Sequence, residues 1–406
     1  MKENTMYDIA IIGGGLAGLS LAILLGKQGW RVACIDRDDI QKQTGASYDI
    51  RTTAISYGSR NVLRHAGIWQ DMEERAQPIK DILILDEDSP IDLEFKTTDI
   101  EAEAFGWIVD NRDLRETLIR HVQGHENITH LTGESATAFD HSDANTVTVT
   151  LANKETLSAK LIVGADGRNS FTREFMQIGT WEHDYNQNAI VCLINHEKPH
   201  HGVALEHFRS QGPFAVLPFT DDADGNHQSA VVWSVERADS EKWLNCSDDV
   251  FNAALQTRCG TRFGNITSIG SRAAWPLTLK KAYSYIGNRM CLVAEAAHGI
   301  HPIAGQGLNM SLRDIAALTE NLKDTKDPGD ASILKAYQAN RRGDNFGMAI
   351  ATDGLNGLFG SDISPIRAMR RFGLHAVSKL PFAKKFFMKQ AMGAGGHLPD
   401  LVREFG

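Results

Sequence analysis

The sequence predicts an α/β protein with a mostly parallel sheet, an inserted antiparallel sheet and a helical C-terminal region. Residues 7–36 have the order strand, glycine-rich turn, helix, strand, acid. Further buried strands in 161–168 and 289–309 lead into turns that carry glycine and an acidic residue. The stretch 181–279 between them has the period-two alternation of β-strands. Because the α/β pattern returns after this stretch, we expect the second sheet to be an insertion in the first domain.

The first of these patterns contains a G-x-G-x-x-G turn. Residues 7–12 are predicted to form a buried strand, which leads directly into Gly13, Gly15 and Gly18 and then into a helix that ends near Gln28. Gly13 permits the tight turn, Gly15 lets the backbone approach a pyrophosphate, and Gly18 allows close packing of helix on strand. The glycine spacing is therefore typical of dinucleotide binding.

The residues after this helix support the same interpretation. Residues 31–35 form a second buried strand, and Asp36 follows it, where a carboxylate can accept hydrogen bonds from an adenosine ribose. The N–H groups and the dipole at the helix N-terminus favour phosphate. Together these features predict a dinucleotide site. The alternative is an α/β turn that binds no ligand.

Composition excludes several classes of protein. The 406 residues suffice for two domains, and 42% hydrophobic with 23% charged residues is typical of a globular protein. Five scattered cysteines without a C-x-x-C pair argue against a disulfide framework or a zinc site and predict a cytoplasmic location. The apolar run 9–26 is interrupted by glycines at turn and packing positions. We therefore expect it to be core rather than a targeting segment or a membrane span.

Charge is unevenly distributed along the chain. The net charge is −9, but from Pro365 onwards eight Lys and Arg residues stand against two acids, so residues 1–364 carry about −15. An acidic body with a basic tail argues against a nucleic-acid partner, which usually requires a broad basic face. Residues 365–389 interleave basic with aromatic and aliphatic side chains, and such a segment can lie on an anionic membrane surface. Terminal helices packed on the body would have the same composition.

Local patterns predict the remaining elements. In the first half they indicate a loop at 38–48, a helix at 59–66, a hairpin at 79–98, a strand at 107–109, a helix at 112–123 capped by Asn111, and strands at 128–139 and 145–151. In the inserted sheet they indicate one helix near 247–258 and strands at 187–194, 203–208, 214–219 and 229–235.

These elements divide the chain into six segments. We expect the first domain to comprise 1–76, 101–180 and 280–345. The hairpin 77–100 and the stretch 181–279 are expected to form the second domain, and 346–406 the helical region. Since parallel α/β sheets bind ligands at the carboxyl ends of their strands, the turns in 9–18, 161–168 and 289–309 should converge on one long cofactor. FAD has that length, whereas a mononucleotide does not.

Three motifs taken together resemble the class A flavoprotein aromatic hydroxylases: the G-x-G-x-x-G turn, Ala165-Asp166-Gly167, and the stretch from Ala296 to Asn309. These are single-component FAD monooxygenases with a glutathione-reductase-type Rossmann fold, and the resemblance, which spans the whole chain, implies that fold here. Within this family, the ubiquinone-biosynthesis hydroxylases are similar in four further stretches, at 49–56, 185–191, 212–218 and 352–359.

One motif departs from the family pattern. The second FAD signature of the family is Gly-Asp-Ala-Ala-His, and this chain has Ala294-Glu295-Ala296-Ala297-His298. In the family the Asp hydrogen-bonds the ribityl chain of FAD; Glu295 keeps the carboxylate but adds a methylene, and Ala294 adds a Cβ. We expect FAD still to bind, with lower affinity or a shifted ribityl chain. A neutral change in a tolerant turn is the alternative.

The resemblance implies roles for individual residues. The ADP half of FAD is assigned to Gly13, Gly15, Leu16, Ala17, Gly18, Asp36 and Arg37. Arg51 and Arg112 match positions near the pyrophosphate or ribityl chain, where a guanidinium can bind bidentately, although either could form a surface salt bridge instead. Asp166 matches an acid that the family links to both FAD and the reductant. The remaining cofactor contacts are assigned to Glu295, Gly305, Gly307, Leu308 and Asn309.

The resemblance also locates the chemistry. Gly305-Gln306-Gly307 opens a helix predicted at 307–322, whose N–H groups and dipole would stabilise negative charge on the reduced flavin. Pro302 and Gln306 are therefore predicted to lie beside the reacting ring. In the family, oxygen transfer belongs to the flavin C4a-hydroperoxide, and the protein supplies position and dryness. His298 and His301 are accordingly not expected to transfer protons.

The implied activity is hydroxylation of the ring of a polyprenylated phenol in ubiquinone biosynthesis, with O2 as the oxygen source. The chain has no second G-x-G-x-x-G motif, so NAD(P)H is expected to dock transiently as the reductant. The expected partners are the aromatic substrate and, through the basic tail, a membrane surface or other proteins of ubiquinone biosynthesis. The alternatives are a hydroxylase of another small aromatic compound, a flavin-dependent prenyl reductase, and a non-catalytic flavin-binding scaffold.

Overall fold

The computed structural model of the protein describes residues 5–45, 47–87, 89, 92–209, 211–300, 305–359, 373, 377, 379–393 and 398–403. Within these ranges, the strands in chain order are β1 (Thr5–Ile12), β2 (Val32–Asp36), β3 (Thr52–Ser56), β4 (Gln77–Ile79), β5 (Asp81–Asp86), β6 (Leu93–Lys96), β7 (Gly106–Asp110), β8 (Ile128–Thr132), β9 (Ala136–Asp140), β10 (Val147–Leu151), β11 (Thr156–Gly164), β12 (Thr180–His196), β13 (Val203–Phe208), β14 (Phe214–Phe219), β15 (His227–Glu236), β16 (Ile266–Ala282), β17 (Ile286–Gly287), β18 (Met290–Leu292) and β19 (His298–Gly299).

The helices in the same ranges are α1 (Leu16–Lys27), α2 (Ile40–Gln43), α3 (Tyr57–Ala66), α4 (Trp69–Met72), α5 (Asn111–Gln123), α6 (Phe171–Phe175), α7 (Arg237–Asn245), α8 (Asp248–Cys259), α9 (Gln306–Leu322), α10 (Ala331–Phe359) and α11 (Pro381–Ala391). No helix in the described residues is both long enough and apolar enough to span a membrane.

The first sheet is the mostly parallel sheet that the apolar runs predict. Its main path has the order β17-β18-β11-β1-β2-β8, and β10 and β9 extend it from β11. The pairs β11–β1, β1–β2, β2–β8 and β11–β18 are parallel. Ile9 and Ile11 pack against α1, α5 and α9 on one face, while Ala10 and Ile12 pack against the β9–β10 hairpin on the other. Burial on both faces explains why these strands are continuous apolar runs.

The second sheet has the order β19-β16-β12-β15-β14-β13-β5-β6 and is antiparallel except for the β13–β5 pair. One face packs against α8 through Phe251 and Leu255. The opposite face carries Ala204 and Phe208, which pack with Ile108 of a small third sheet, β3-β7-β4. The α/β fold with an inserted, largely antiparallel sheet is therefore confirmed, whereas the domain boundaries stay a prediction.

Several local expectations were wrong. The stretch 38–48 contains the short helix α2, because the Asp39 side chain caps it by accepting a hydrogen bond from Lys42 N. Asp110 rather than Asn111 caps α5, since its carboxylate accepts from Arg112 N at 2.7 Å. The single strand expected at 128–139 is two strands, β8 and β9, separated at Gly133, where φ is +72°. A residue with positive φ interrupts the regular extended backbone.

Two elements of the inserted sheet were missed. One is a second helix, α7, which precedes α8. The other is the 17-residue strand β16, which follows α8. The apolar content of α7 is low, and β16 contains a glycine, a proline and three basic residues, so neither has a strong apolar period. Strand β16 is held by its long antiparallel pairing with β12, a long-range contact that local pattern does not encode.

Candidate functional site

The three glycine-bearing turns meet at one edge of the first sheet. β1, β11 and β18 are parallel neighbours, so the turns at Gly13, Ala165 and Ala294 follow adjacent strand ends. Contacts between the turns are close: a Cβ on Gly13 would lie 2.4 Å from Ala165 O, and a Cβ on Gly18 would lie 1.9 Å from Gly13 O. These glycines are required by packing alone, before any ligand is considered.

Asp36 at the end of β2 holds the glycine turn in place. Its Oδ2 accepts a hydrogen bond from Gly14 N at 2.6 Å, and its Oδ1 accepts from Asp38 N at 2.8 Å. The neighbouring Arg37 has a side chain that is 84% exposed, and its ion pair within the described residues is with Asp38, at 3.9 Å. Hydrogen bonds from the backbone therefore hold the Asp36 carboxylate in one orientation, in which it would make the predicted contact with a ribose.

Asp166 presents a buried oxygen that has no partner among the described residues. Its Oδ2 accepts from Thr172 N at 2.9 Å and from Thr172 Oγ1 at 3.0 Å, whereas its Oδ1 is buried without a hydrogen bond. Gly167 beside it has a φ of +78° and open space where a Cβ would lie. A buried carboxylate oxygen is costly to leave unpaired, so this turn fits a ligand that donates a hydrogen bond there.

Two helix N-termini at this edge have no side-chain cap. α1 begins after Gly15 and α9 begins after Gly305, and neither preceding residue provides a side-chain hydrogen bond. The space around a Cβ on Gly15 or on Gly307 is open. Leu16 and Ala17 at the start of α1 are partly buried against the core. Free N–H groups with a positive dipole end suit the phosphates and the electron-rich edge of a dinucleotide.

The side chain of Asn309, which was predicted to contact the cofactor, forms hydrogen bonds within the protein. Its Nδ2 donates to Ala54 O at 2.8 Å and to Gly305 O at 3.0 Å, and its Oδ1 accepts from Ser56 N at 2.9 Å. Its neighbour Leu308 packs on the main core. Asn309 thus fastens the left-handed Gly305, at φ +61°, to strand β3. Its direct contact with a cofactor stays a prediction.

The two predicted arginines have different surroundings. Arg51 donates two hydrogen bonds of 2.7 Å to Asp49, and its guanidinium lies 4.2 Å from the ring centroid of Trp275 on β16. Burial by itself would raise the pKa of Asp49, but the hydrogen bond from Arg51 holds it below its ordinary value. The guanidinium of Arg112, at the N-terminus of α5, has no ion pair or hydrogen bond with the described part of the chain. Arg112 is therefore the better placed of the two to receive an anionic ligand.

Glu295 is paired with a residue that sequence reasoning missed. Arg168 Nε donates to Glu295 Oε1 at 3.0 Å, and Arg168 Nη1 lies 3.3 Å from both Pro276 O and Thr278 Oγ1 of β16. The pair joins the Asp166 turn to the Glu295 turn and to the second sheet. Arg168 directly follows Asp166-Gly167, and this adjacency was the available signal.

Ala294 occupies a conformation that favours glycine. Its φ is +56°, and its N–H donates to Asp314 Oδ2 of α9 at 3.1 Å. Asp314 is fully buried and also accepts hydrogen bonds from His298 Nε2 and from Arg341 Nε. Burial by itself would raise the pKa of Asp314, but His298 and Arg341 hold it well below its ordinary value. A buried network thus fixes the Ala294 turn.

Replacing Ala294 with glycine should raise the free energy of unfolding by about 0.5–1 kcal/mol, because an L-residue in the left-handed region is strained. Urea unfolding of the FAD-free protein measures the change. Ala296→Gly is the matched control: Ala296 lies in the same buried turn without a positive φ, so glycine should destabilise there by a similar amount. Equal destabilisation by both changes would contradict the strain at Ala294.

The remaining predicted residues divide into two groups. Pro302 and His301 lie outside the described residues. Gln306 is buried as the first residue of α9, and His298 is buried against Asp314. His298 therefore supports the fold of the turn, and the expectation that it does not transfer protons stays a prediction.

The arrangement as a whole fits FAD. Three adjacent strand ends supply the length, two uncapped helix N-termini supply N–H donors, and Asp166 Oδ1 supplies a buried acceptor. That one ligand contacts both Asp36 and Gly305 stays a prediction.

Comparison with known proteins agrees with this geometry. The family described as FAD binding domain matches residues 6–349. The ubiquinone hydroxylase UbiL of Rhodospirillum rubrum is 39% identical over 99% of this chain and 94% of the relative. The 3-demethoxyubiquinol 3-hydroxylase of Escherichia coli is 30% identical over 96% of this chain and 99% of the relative. Among solved structures, the p-nitrophenol 4-monooxygenase PnpA of Pseudomonas putida superposes with a TM-score of 0.79 and 17% identity, over 97% of this chain and 100% of that chain.

Proposed function

Because the chain belongs to the FAD-binding family of class A monooxygenases and within it to the ubiquinone-biosynthesis hydroxylases, we propose that it hydroxylates the ring of a polyprenylated phenol. One oxygen atom of O2 enters the ring, and NAD(P)H is the proposed reductant. The observation that best supports this substrate is an apolar sheet face beside the FAD site. Ala54 contacts the Gly305 turn and packs in the same cluster as Ala204, Phe208 and Leu217. An apolar wall next to the flavin suits an aromatic ring with an isoprenoid chain.

The residues of the chain have separable tasks in this function. The Gly13 turn and the α1 N-terminus would bind the pyrophosphate, with Asp36 at the ribose and Arg112 as a further cation for the phosphates. Asp166 Oδ1 would accept a hydrogen bond from the cofactor. Reduced FAD supplies the activation of O2. The α9 N-terminus at Gln306 would face the flavin ring and stabilise its negative charge.

Turnover tests the proposal directly. The protein loaded with FAD should oxidise NADH or NADPH in the presence of ortho-farnesylphenol and O2, and the product should gain the mass of one oxygen atom. Labelled O2 should supply that atom. Reduction of a prenyl double bond without O2 would replace the proposal with a reductase, and flavin binding without turnover on any pathway intermediate would indicate a scaffold. Complementation of strains blocked at single ring hydroxylations identifies the position attacked.

Peripheral membrane association is a further part of the proposal, and α11 supports it. Met388 is buried and Lys384 forms an ion pair of 2.6 Å with Asp99, so the helix is attached to the body. Phe382 is 86% exposed, and the exposed Phe386 and Phe387 accompany exposed lysines on the same helix. Exposed aromatic rings next to cations are the side chains that bind an anionic lipid interface. A polyprenylated substrate resides in such an interface.

Replacing Phe382, Phe386 and Phe387 with serine should lower binding to phosphatidylglycerol-containing vesicles by at least about tenfold, because each buried aromatic ring contributes on the order of 1 kcal/mol or more. Vesicle sedimentation measures the change. Val250→Ser, which alters an exposed apolar residue of α8, is the control and should bind as the wild type does. Unchanged sedimentation of the triple variant would remove α11 from the membrane role.

A further inference from the structure

Glu206 is a carboxylate on the apolar face of the second sheet. It lies on β13 between Ala204 and Phe208, both of which pack in the cluster that also contains Ala54. Leu205, the intervening residue, packs in the opposite cluster with Phe251 of α8. Because side chains alternate between the two faces of a strand, Glu206 shares the face of Ala204 and Phe208.

That face is directed at the FAD site. Trp275 on β16 contacts the Arg51 guanidinium, whereas its neighbour Ala274 packs in the opposite cluster on the α8 side. Ala54 joins the cluster of Ala204 and Phe208, and a Cβ on Gly305 would lie 3.0 Å from Ala54 Cβ. Two contacts at different places on the sheet therefore give the same orientation.

The residues beside Glu206 are apolar. In register with it are Ile84 on β5 and Ala215 on β14, and Val232 and Val191 continue the row through β15 and β12. Val191 and Val232 are only partly buried, so other side chains do not cover this part of the face completely. Glu206 is the single charged residue in this row of five.

The carboxyl of Glu206 has no hydrogen bond or ion pair with the described residues, and it is partly reachable by solvent. Burial raises its pKa to about 7. On the same face, Asp86 lies two residues beyond Ile84, and the residue that α11 packs into this cluster is the uncharged Met388. A carboxyl kept without a partner in an apolar place costs stability, which is a feature of binding sites rather than of cores.

We propose, on the basis of the proposed function, that Glu206 accepts a hydrogen bond from the ring hydroxyl of the phenolic substrate and receives its proton. The O–H bond of the phenol breaks, the proton moves to a Glu206 carboxylate oxygen, and the electron pair stays on the phenol oxygen. The resulting phenolate is the more electron-rich ring and is attacked more readily by electrophilic oxygen. The proton returns to solvent when the product leaves.

The energetics suit this transfer. A phenol has a pKa of about 10 and an ordinary glutamate about 4.3, a difference too large for efficient transfer. Desolvation at Glu206 narrows that difference while leaving the group mostly ionised above neutral pH. Binding the hydroxyl also places the ring on the sheet face opposite the Gly305 turn.

Substitution of Glu206 tests the inference in two ways. With ortho-farnesylphenol, wild-type kcat/KM should fall about tenfold per pH unit below pH 7, because only the ionised carboxylate can accept the proton. Glu206→Gln should lower kcat/KM by at least about a hundredfold at pH 8 and remove that pH dependence. Separately, wild type should bind the phenol at least about tenfold more tightly than its methyl ether, which has no proton to donate, and Glu206→Leu should bind the two equally.

Glu94→Gln is the matched control. Glu94 lies on β6 of the same sheet, but Leu93 and Phe95 occupy the apolar face, so Glu94 is on the other side and lies 3.1 Å from Lys96. This variant should keep both the pH profile and the methyl-ether discrimination. FAD content and thermal unfolding establish that each variant is folded.

The outcomes separate the two proposals. If wild type forms the hydroxylated product and Glu206→Gln keeps both the acidic limb and the preference for the phenol, the role of Glu206 is overturned and the proposed function stands. If wild type hydroxylates no phenol, the proposed function fails. In that case the comparison of phenol with methyl ether still decides whether Glu206 contacts the hydroxyl.

Discussion

Replacing Asp314 with alanine is expected to lower the free energy of unfolding by about 3–5 kcal/mol, because the change removes the fully buried carboxylate that pairs with the buried Arg341 cation. Arg341 is 1% exposed and donates to Asp314 Oδ1 at 2.8 Å. The same carboxylate accepts from His298, from Ala294 N and from Asn345 Nδ2. Urea unfolding at neutral pH measures the loss. The Ala294 turn should also loosen, so FAD affinity is expected to fall with stability.

Asp344→Ala provides the comparison for Asp314→Ala. Asp344 also pairs with Arg341, at 2.7 Å, but it is 24% exposed and leaves Arg341 bound to Asp314. Its removal also takes an ion-pair partner, at 3.4 Å, from the buried Arg313, so the loss should lie between about 1 kcal/mol and the loss for Asp314→Ala. If Asp314→Ala lowers the free energy of unfolding by less than about 1 kcal/mol, the hydrogen-bond network around Asp314 does not stabilise the Ala294 turn.

The pH dependence of this loss follows from the lowered pKa of Asp314. A carboxylate whose pKa is depressed by folding contributes stability above its unfolded pKa and loses it as the pH falls through the folded value. The unfolded value is near 3.8, so the stability that the Asp314 carboxylate itself contributes should be fully present above about pH 5. It should shrink only in stronger acid.

Gly13→Ala is expected to lower FAD affinity by at least about a hundredfold, equivalent to about 2.7 kcal/mol. The φ of Gly13 is +110°, and an added Cβ would lie 2.4 Å from Ala165 O and 2.9 Å from Asp166 Cα. Neither of these backbone atoms can move unless β1 shifts relative to β11. The substitution should therefore separate the Gly13 turn from the Asp166 turn. Flavin retained after purification and titration of the FAD-free protein measure the effect.

Gly29→Ala is the control for backbone strain. The φ of Gly29 is +88°, but no atom lies within 4 Å of an added Cβ. This change should cost about 1 kcal/mol of stability and leave FAD affinity unchanged. Retention of FAD by Gly13→Ala at wild-type affinity would mean that the cofactor does not depend on this turn.

The sequence was informative where function depends on backbone at strand ends. Gly13 and Gly18 were predicted to shape the turn, and Asp36 was predicted to bind a ribose beside it. The structure places the three together, with Gly13 O against Gly18 and the Asp36 carboxylate on Gly14 N. The fold class was predicted for a related reason, since a strand buried on both faces must be apolar throughout. Such requirements fix the residue type at single positions, and the sequence pattern therefore records them.

Sequence alone therefore determined the α/β fold, the family and the three turns that converge on a dinucleotide. The tertiary structure decided what distant residues contribute: the contact of Asp314 with Ala294, the pairing of Arg168 with Glu295, and the isolation of Glu206 on an apolar sheet face. These depend on strand register and helix packing between segments far apart in the chain. A local pattern cannot specify them, because the free energy of a buried charge is set by its neighbours in space.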